Sequence, residues 1–236
     1  MTTGKRVRFW SAVGLVLAAV VLLAAPAEAN LIQNPGFETP IVTHPADWDI
    51  FQQLFMWNFA PADGGASPPW PELHRGVNGW LAAEGEQYIE LDSDELGPDW
   101  GNPSGETGSM TVWQEVVLDA GEYAFGFAFS PRPGADATEN VLHAQVRGGG
   151  AILVDDILSA DGAGLSQTDW STFVYTFTVP TDDMLVTVQF WDEGTDNTLG
   201  TFLDDVSLAG VPEPGTMALL GLGLAGLAGV RRRTVS

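Results

Sequence analysis

The fold this sequence predicts is an all-β domain, arranged as a β-sandwich, with an export signal before it and a single apolar helix after it. Three observations carry the prediction. Between residues 30 and 209, apolar and aromatic residues recur with period two in short runs. Clusters of Gly, Pro, Asp and Asn separate the runs, and no stretch repeats convincingly at the 3.6 residues of an amphipathic helix. Long uncharged apolar stretches stand instead at the two ends of the 236-residue chain, each beside a basic cluster.

The elements follow in order. Lys5, Arg6 and Arg8 form a basic n-region and residues 9–25 an apolar h-region. Ala27-Glu28-Ala29 supplies the small-x-small pattern that signal peptidase reads. Residues 1–29 therefore read as a signal peptide cleaved after Ala29. Residues 30–209 follow as an ectodomain of about 180 residues, enough for one domain with a good core. Tyr123, Phe125, Phe127 and Phe129 alternate with Ala124, Gly126 and Ala128, which is a strand with one aromatic face and one face of small residues. Residues 110–118, 141–147, 172–179, 185–191 and 202–208 are further β runs, and 31–33 and 87–91 are shorter ones. Residues 42–86 are rich in Pro, Gly and Trp and read as long loops at one end of the sandwich.

Residues 210–236 have a different organisation. Val211-Pro212-Glu213-Pro214 is followed by residues 215–230 without a charge, and then by Arg231, Arg232 and Arg233. At about 1.5 Å per residue the apolar run spans roughly 24 Å, which flanking residues extend towards a ~30 Å hydrocarbon core. The arginines are the stop that remains cytoplasmic. This arrangement resembles the PEP-CTERM sorting signal of bacterial exported proteins. The resemblance implies export, membrane anchoring through a transmembrane helix over 215–230, and recognition by an exosortase-type protease. It also implies a place at the cell surface or in an exopolysaccharide matrix.

Charge narrows the partners. Three arginines, Arg75, Arg132 and Arg147, face 29 acidic residues between 30 and 209. Such a surface excludes nucleic acid, because phosphate binding needs basic side chains, and excludes anionic lipid headgroups likewise. It fits a saline medium or the collection of divalent cations. The chain has no cysteine, so disulfides, thiol catalysis and zinc-thiolate sites are absent.

Asn34-Pro35-Gly36-Phe37-Glu38, the run from Gly85 to Asp92, Ser130-x-Arg132-Pro133-Gly134, and residues 203–208 resemble, in that order, a galactose-binding-like jelly roll. Among these it is most similar to the DUF642-like and carbohydrate-binding modules found ahead of PEP-CTERM signals. Sugar binding is implied as a tendency of that group. On simple alternation Asp204 shares a side with Phe202, Val206 and Leu208, which turns its carboxylate inward. A cation satisfies it, hard Ca²⁺ suiting oxygen ligands; backbone N–H donors at a strand bend satisfy it equally. The resemblance implies the first, with Glu38 and Asp204 as ligands of one structural calcium.

Eight tryptophans fall in the domain. Trp57, Trp70 and Trp80, in the loop-rich segment, are the candidates for stacking on sugars. Trp113, Trp170 and Trp191, in or beside strands, read as core. His143, Gln145 and Arg147 alternate with Leu142, Ala144 and Val146 and face outward, lining either a ligand face or a solvated one. No nucleophile elbow, zinc motif or phosphate loop is present, and the three histidines are dispersed. The reading is an exported, surface-anchored, non-catalytic module that binds or organises extracellular polysaccharide. The alternatives are a purely structural envelope or matrix protein and, third, a carboxylate-based glycoside-active enzyme.

Overall fold

The computed structural model describes residues 29–62, 70–94, 107–195 and 197–212. The expected signal peptide and the Glu213-Pro214, 215–230 and Arg231–Arg233 parts of the sorting signal lie outside them. Among the described residues no helix is long and apolar enough to cross a membrane.

Residues Asn30–Gly210 form one compact unit. Its strands are β1 (Trp48–Ile50), β2 (Asn58–Pro61), β3 (Glu72–His74), β4 (Tyr88–Glu90), β5 (Asp92–Asp94), β6 (Thr107–Leu118), β7 (Gly121–Ser130), β8 (Val141–Gly148), β9 (Ala151–Ser159), β10 (Ser171–Val179), β11 (Met184–Asp192) and β12 (Phe202–Gly210). Every pairing is antiparallel. Sheet A has the order β1-β3-β4-β12-β7-β10 and sheet B the order β2-β6-β11-β8-β9, with β5 beside β6. From β6 onward the chain crosses between the sheets at every connection except the β8–β9 hairpin. Such repeated crossing makes the sandwich a jelly roll.

The two inner faces make the main core. Phe125, Phe127 and Phe129 of β7 point into it together with Leu73, Ile89 and Leu203, against Val112, Leu142, Val188 and Phe190 from sheet B. Phe127 meets Phe190 edge-on at 5.0 Å between centroids, and Phe125 meets it at 5.6 Å. Each buried ring of this kind contributes about 1.5–3 kcal/mol. The small residues on the other side of β7 are required by its neighbours: a Cβ on Gly126 would come within 2.8 Å of Ser207 Oγ and 3.2 Å of Phe173 O.

A second, smaller core lies on the outer side of sheet A. Residues 76–86 fold across it, and Trp80 packs on Tyr88 and Phe202 with Val77, Ala82 and Trp170 at the margin. This cover is tied down at Leu81, whose carbonyl accepts Trp170 Nε1 and Thr168 Oγ1, each at 2.7 Å.

The long strands fall where alternation puts them. Four features differ from the sequence reading. Residues 31–33 form no strand; Leu31 N donates to Leu208 O, and the buried Gln114 holds the backbone of Gln33 from both sides. Residues 42–86 contain β1, β2 and β3, which extend sheets A and B at their edges. β9 is an unforeseen strand, its apolar run interrupted by Asp155 and Asp156. β12 also carries a bulge: its register with β7 shifts between Asp204 and Ser207, and Asp205 has φ 47°. Leu203, Val206 and Leu208 therefore face the main core, while Asp204 lies with Phe202 on the outer side of sheet A, buried as expected but parted from Val206 and Leu208.

Gly200 passes against the backbone of Asp92, where a Cβ would collide with the Asp92 N and Cβ atoms, whereas Gly164 faces open space. Gly200→Ala is expected to cost about 1–3 kcal/mol and Gly164→Ala less than about 0.5 kcal/mol. Thermal unfolding of the two variants checks this, and equal melting temperatures would contradict the close approach.

Candidate functional site

Sheet B keeps its outer face open. On β11 the residues Val186, Val188 and Phe190 enter the core, so Thr187, Gln189 and Trp191 turn outward. Register carries this across the sheet. Gln189 lies beside Trp113 of β6 and Gln145 of β8, and Trp191 lies beside His143. Trp113 is flanked in turn by Asn58 of β2. One face thus presents two half-buried indoles separated by side-chain amides.

The polar groups on this face are mutually bonded. Gln189 Nε2 donates to Gln145 Oε1 at 2.9 Å, and Gln145 Nε2 donates to Asp155 Oδ1 at 2.6 Å. The His143 ring lies between two carboxylates, Asp155 Oδ1 at 2.8 Å and Glu193 Oε1 at 2.7 Å, and packs on Trp191 with centroids 3.8 Å apart. Trp191 Nε1 also donates to Glu193, at 3.0 Å. Gln145 and His143 hold the Asp155 carboxyl below the usual carboxylate range. A groove of about 730 Å³ opens at the β2 end, lined by Trp113 and Asn58 with the exposed Phe55 and Met56. A second depression of about 470 Å³ lies at the β8–β9 turn, beside Gln145, Arg147 and Thr187. A sheet fixes side chains at regular spacing, so the amides and rings need little ordering to meet a ligand.

The outer side of sheet A is sealed over β3, β4 and the start of β12, whereas β10 turns Thr172, Val174, Thr176 and Thr178 to solvent. Beneath Trp80 and Phe202, the buried His74 Nε2 meets Glu72 Oε1 at 2.7 Å and Glu90 Oε2 at 2.9 Å, and Arg132 Nη1 binds both oxygens of Glu90. Arg132 also sits over the Trp80 ring at 5.8 Å. Burial alone would lower the pKa of His74, but the hydrogen bonds and charges of Glu72 and Glu90 reverse this and raise it. Burial opposes ionisation of Glu90; Arg132 and His74 overcome it and hold the carboxyl low. Two carboxylates, one imidazolium and one guanidinium then form a neutral set. Glu72, His74 and Glu90 are also close enough to serve as metal ligands, but a cation there would meet the Arg132 charge.

The two residues expected to hold calcium flank one loop. Glu38 Oε1 accepts the N–H groups of Glu86 and Gln87, and Asp204 Oδ2 accepts those of Ala83 and Glu84. Asp204 Oδ1 takes a third N–H, from Asp205. Burial pushes the Asp204 carboxyl up to about 7 against the pull of these donors. Asp204 Oδ1 and Glu84 Oε2 both border the space that a Cβ on Gly36 would occupy.

Of the tryptophans proposed for stacking, two are inside. Trp57 is 4% exposed, stacked on Phe37 at 5.1 Å, and its Nε1 donates to Asn34 O. Trp80, 7% exposed, belongs to the second core. Their burial puts both rings to use in packing. Trp70 is half-buried just before β3, its carbonyl accepting Ser93 Oγ. The indoles on the outer face of sheet B are Trp113 and Trp191, which the sequence pattern assigns to the core; Trp170, assigned likewise, is half-buried at the margin of the second core. The signal for Trp191 lay in its own strand: Val186, Val188 and Phe190 at spacing two place the next residue outward. The Glu72–His74–Glu90–Arg132 set was not anticipated.

Residues 210–233 match the PEP-CTERM protein-sorting motif. No curated protein sequence matches the chain. Among solved structures it is similar to TmCBM61 in complex with β-1,4-galactotriose (18% identity, 78% of this chain and 99% of that chain, TM-score 0.48). It is also similar to the K3 cleaved adhesin domain of Lys-gingipain from Porphyromonas gingivalis (16%, 77% and 99%, TM-score 0.42). A third is a family 35 carbohydrate-binding module from Clostridium thermocellum (11%, 66% and 98%, TM-score 0.34).

The His74 arrangement fixes a pH dependence. Its folded pKa lies above the unfolded value, so its stabilisation is complete below about 6.5 and is lost as pH rises through the folded pKa. Glu72, Glu90 and Arg132 complete this set; Glu90 is held low and Arg132 high, so neither titrates in this range. The wild type should lose stability from pH 6 to pH 9 in chemical denaturation, and His74→Gln should flatten that component. An unchanged slope in the variant would contradict a charged His74.

Proposed function

We propose that this chain is an exported, envelope-anchored module that binds extracellular polysaccharide through the outer face of sheet B and performs no catalysis. One observation carries the reading: two outward indoles, Trp113 and Trp191, stand on one face with a bonded row of Gln189, Gln145, Asp155, His143 and Glu193 beside and between them. Indole faces suit the C–H faces of pyranoses, and amides and carboxylates suit hydroxyls, as in other concave ligand sites. Binding without chemistry is supported by the state of the carboxylates. Glycoside hydrolysis needs two that flank a cleft with one kept as an acid; Asp155 and Glu193 are both engaged by His143, and Glu72 and Glu90 are buried under residues 76–86.

The match over 210–233 supports export and sorting, with Val211-Pro212-Glu213-Pro214 as the recognised stretch, an exosortase-type protease as partner, residues 215–230 in the membrane and Arg231, Arg232 and Arg233 as the stop. Calcium between Glu38 and Asp204 belongs to the same reading. Glu84 and Asp204 supply hard oxygens beside Gly36, and Glu38 lies beside the next residues of that loop. An ion there would fasten the first described segment to β12.

Affinity electrophoresis through gels cast with soluble polysaccharides tests the binding face. Trp113→Ala and Trp191→Ala should each weaken retention roughly tenfold or more while the protein still melts cooperatively, and Trp80→Ala should disturb folding instead. Retention unaffected by either outward tryptophan would place the ligand elsewhere. For sorting, replacement of Pro212, Glu213 and Pro214 by alanine should leave the full-length chain unprocessed in the membrane; normal processing would contradict recognition at this motif.

A further inference from the structure

One buried carboxylate oxygen remains without a partner. Asp192, at the end of β11, is 3% exposed, and its Oδ2 accepts Ser109 Oγ at 3.0 Å and Gly194 N at 3.1 Å, but its Oδ1 is bonded to nothing. The neighbourhood adds negative charge. Asp92, fully buried, is the register partner of Ser109, and it acts electrostatically on Asp192. Its own oxygens accept N–H groups of Gly108, Asn197 and Thr198.

A second oxygen lies near the unpartnered one. Gly194 is pressed against the backbone carbonyl of Glu139, where a Cβ would collide with Glu139 O and lie 3.3 Å from Asp192 Oδ1. A carbonyl and a carboxylate oxygen therefore both lie beside Gly194. None of the domain's arginines is available to it. Arg75 is held by Glu86, Arg132 by Glu90, and Arg147 stands exposed on the outer face of sheet B.

We infer that this rim, formed by Asp192, the Glu139 carbonyl and the charge of Asp92, is a divalent-cation site separate from Glu38 and Asp204, and that it takes Ca²⁺. The donors are all oxygen, which excludes a preference for soft or nitrogen-seeking metals. Carbonyl and carboxylate oxygens in an irregular set, completed by water, suit the flexible shell of Ca²⁺ better than the strict octahedron of Mg²⁺. With two protein oxygens contacting the ion, a dissociation constant on the order of 10⁻⁴–10⁻³ M, that of extracellular modules, is expected. The ion would join β11, the turn before β8 and the β5–β6 pair.

Equilibrium dialysis of the full-length chain against ⁴⁵Ca²⁺, at about 0.15 M salt with millimolar Mg²⁺ to occupy unspecific acids, tests it. Wild type should bind one Ca²⁺ more than Asp192→Asn, and Asp204→Asn should retain that ion, which separates this site from the other. In chelator Asp192→Asn should melt no lower than wild type, because it removes a carboxyl that Asp92 acts against. Equal Ca²⁺ binding by wild type and Asp192→Asn, or loss of the ion only with Asp204→Asn, would overturn the assignment.

Discussion

Arg132 joins Glu90 beneath Trp80 and Phe202, and the outer side of sheet A depends on that contact. The domain has three arginines for 29 acids, and this one is spent under cover. Its guanidinium and the His74 imidazolium together balance Glu72 and Glu90, so the set adds no net charge to a buried layer. Such an arrangement is a poor source of stability in itself, but removing one member leaves an uncompensated buried charge at about 3–5 kcal/mol. Tyr88 and Phe202 pack around it, and residues 76–86 close over it. The same scarcity shapes the other buried acids. Asp92 and Asp204 are held by backbone N–H groups, and Asp192 is only half held.

Trp80 and its loop close over β3, β4 and the start of β12, while β10 leaves only threonines and Val174 on the open part of sheet A. The open sheet surface that carries indoles and amides belongs to sheet B. There the rings of Trp113 and Trp191 and the amides between them are placed by strand register rather than by loops. Their spacing is set by the ladder β6-β11-β8, which is also the wall of the main core. A rigid scaffold and a ligand face are then one object, and the ordering cost of binding is met when the protein folds.

How much of this was legible follows from the range of each signal. Alternation is local, so the long strands β6, β7, β8, β10, β11 and β12 could be read directly. The bulge at Asp204 and Asp205 could not, because one inserted residue leaves the composition of β12 unchanged while putting Val206 and Leu208 on the side opposite to Phe202 and Asp204. Trp57 and Trp80 looked like loop residues and are core, since burial of a loop depends on what it folds against. Trp191 was assigned to the core although the inward run of Val186, Val188 and Phe190 already pointed it outward. Glu72, His74, Glu90 and Arg132 are adjacent only through pairing of β3, β4, β12 and β7, which no local pattern encodes.

The division between the covered end of sheet A and the outer face of sheet B can be observed at the tryptophans themselves. Two-dimensional NMR of ¹⁵N-labelled protein resolves the indole N–H of each ring, and titration with fragments of a retained polysaccharide reports which ones meet it. The account predicts that the Trp113 and Trp191 signals shift on binding while those of Trp57 and Trp80 stay in place. Shifts confined to Trp57, Trp70 or Trp80, with Trp113 and Trp191 unmoved, would contradict it.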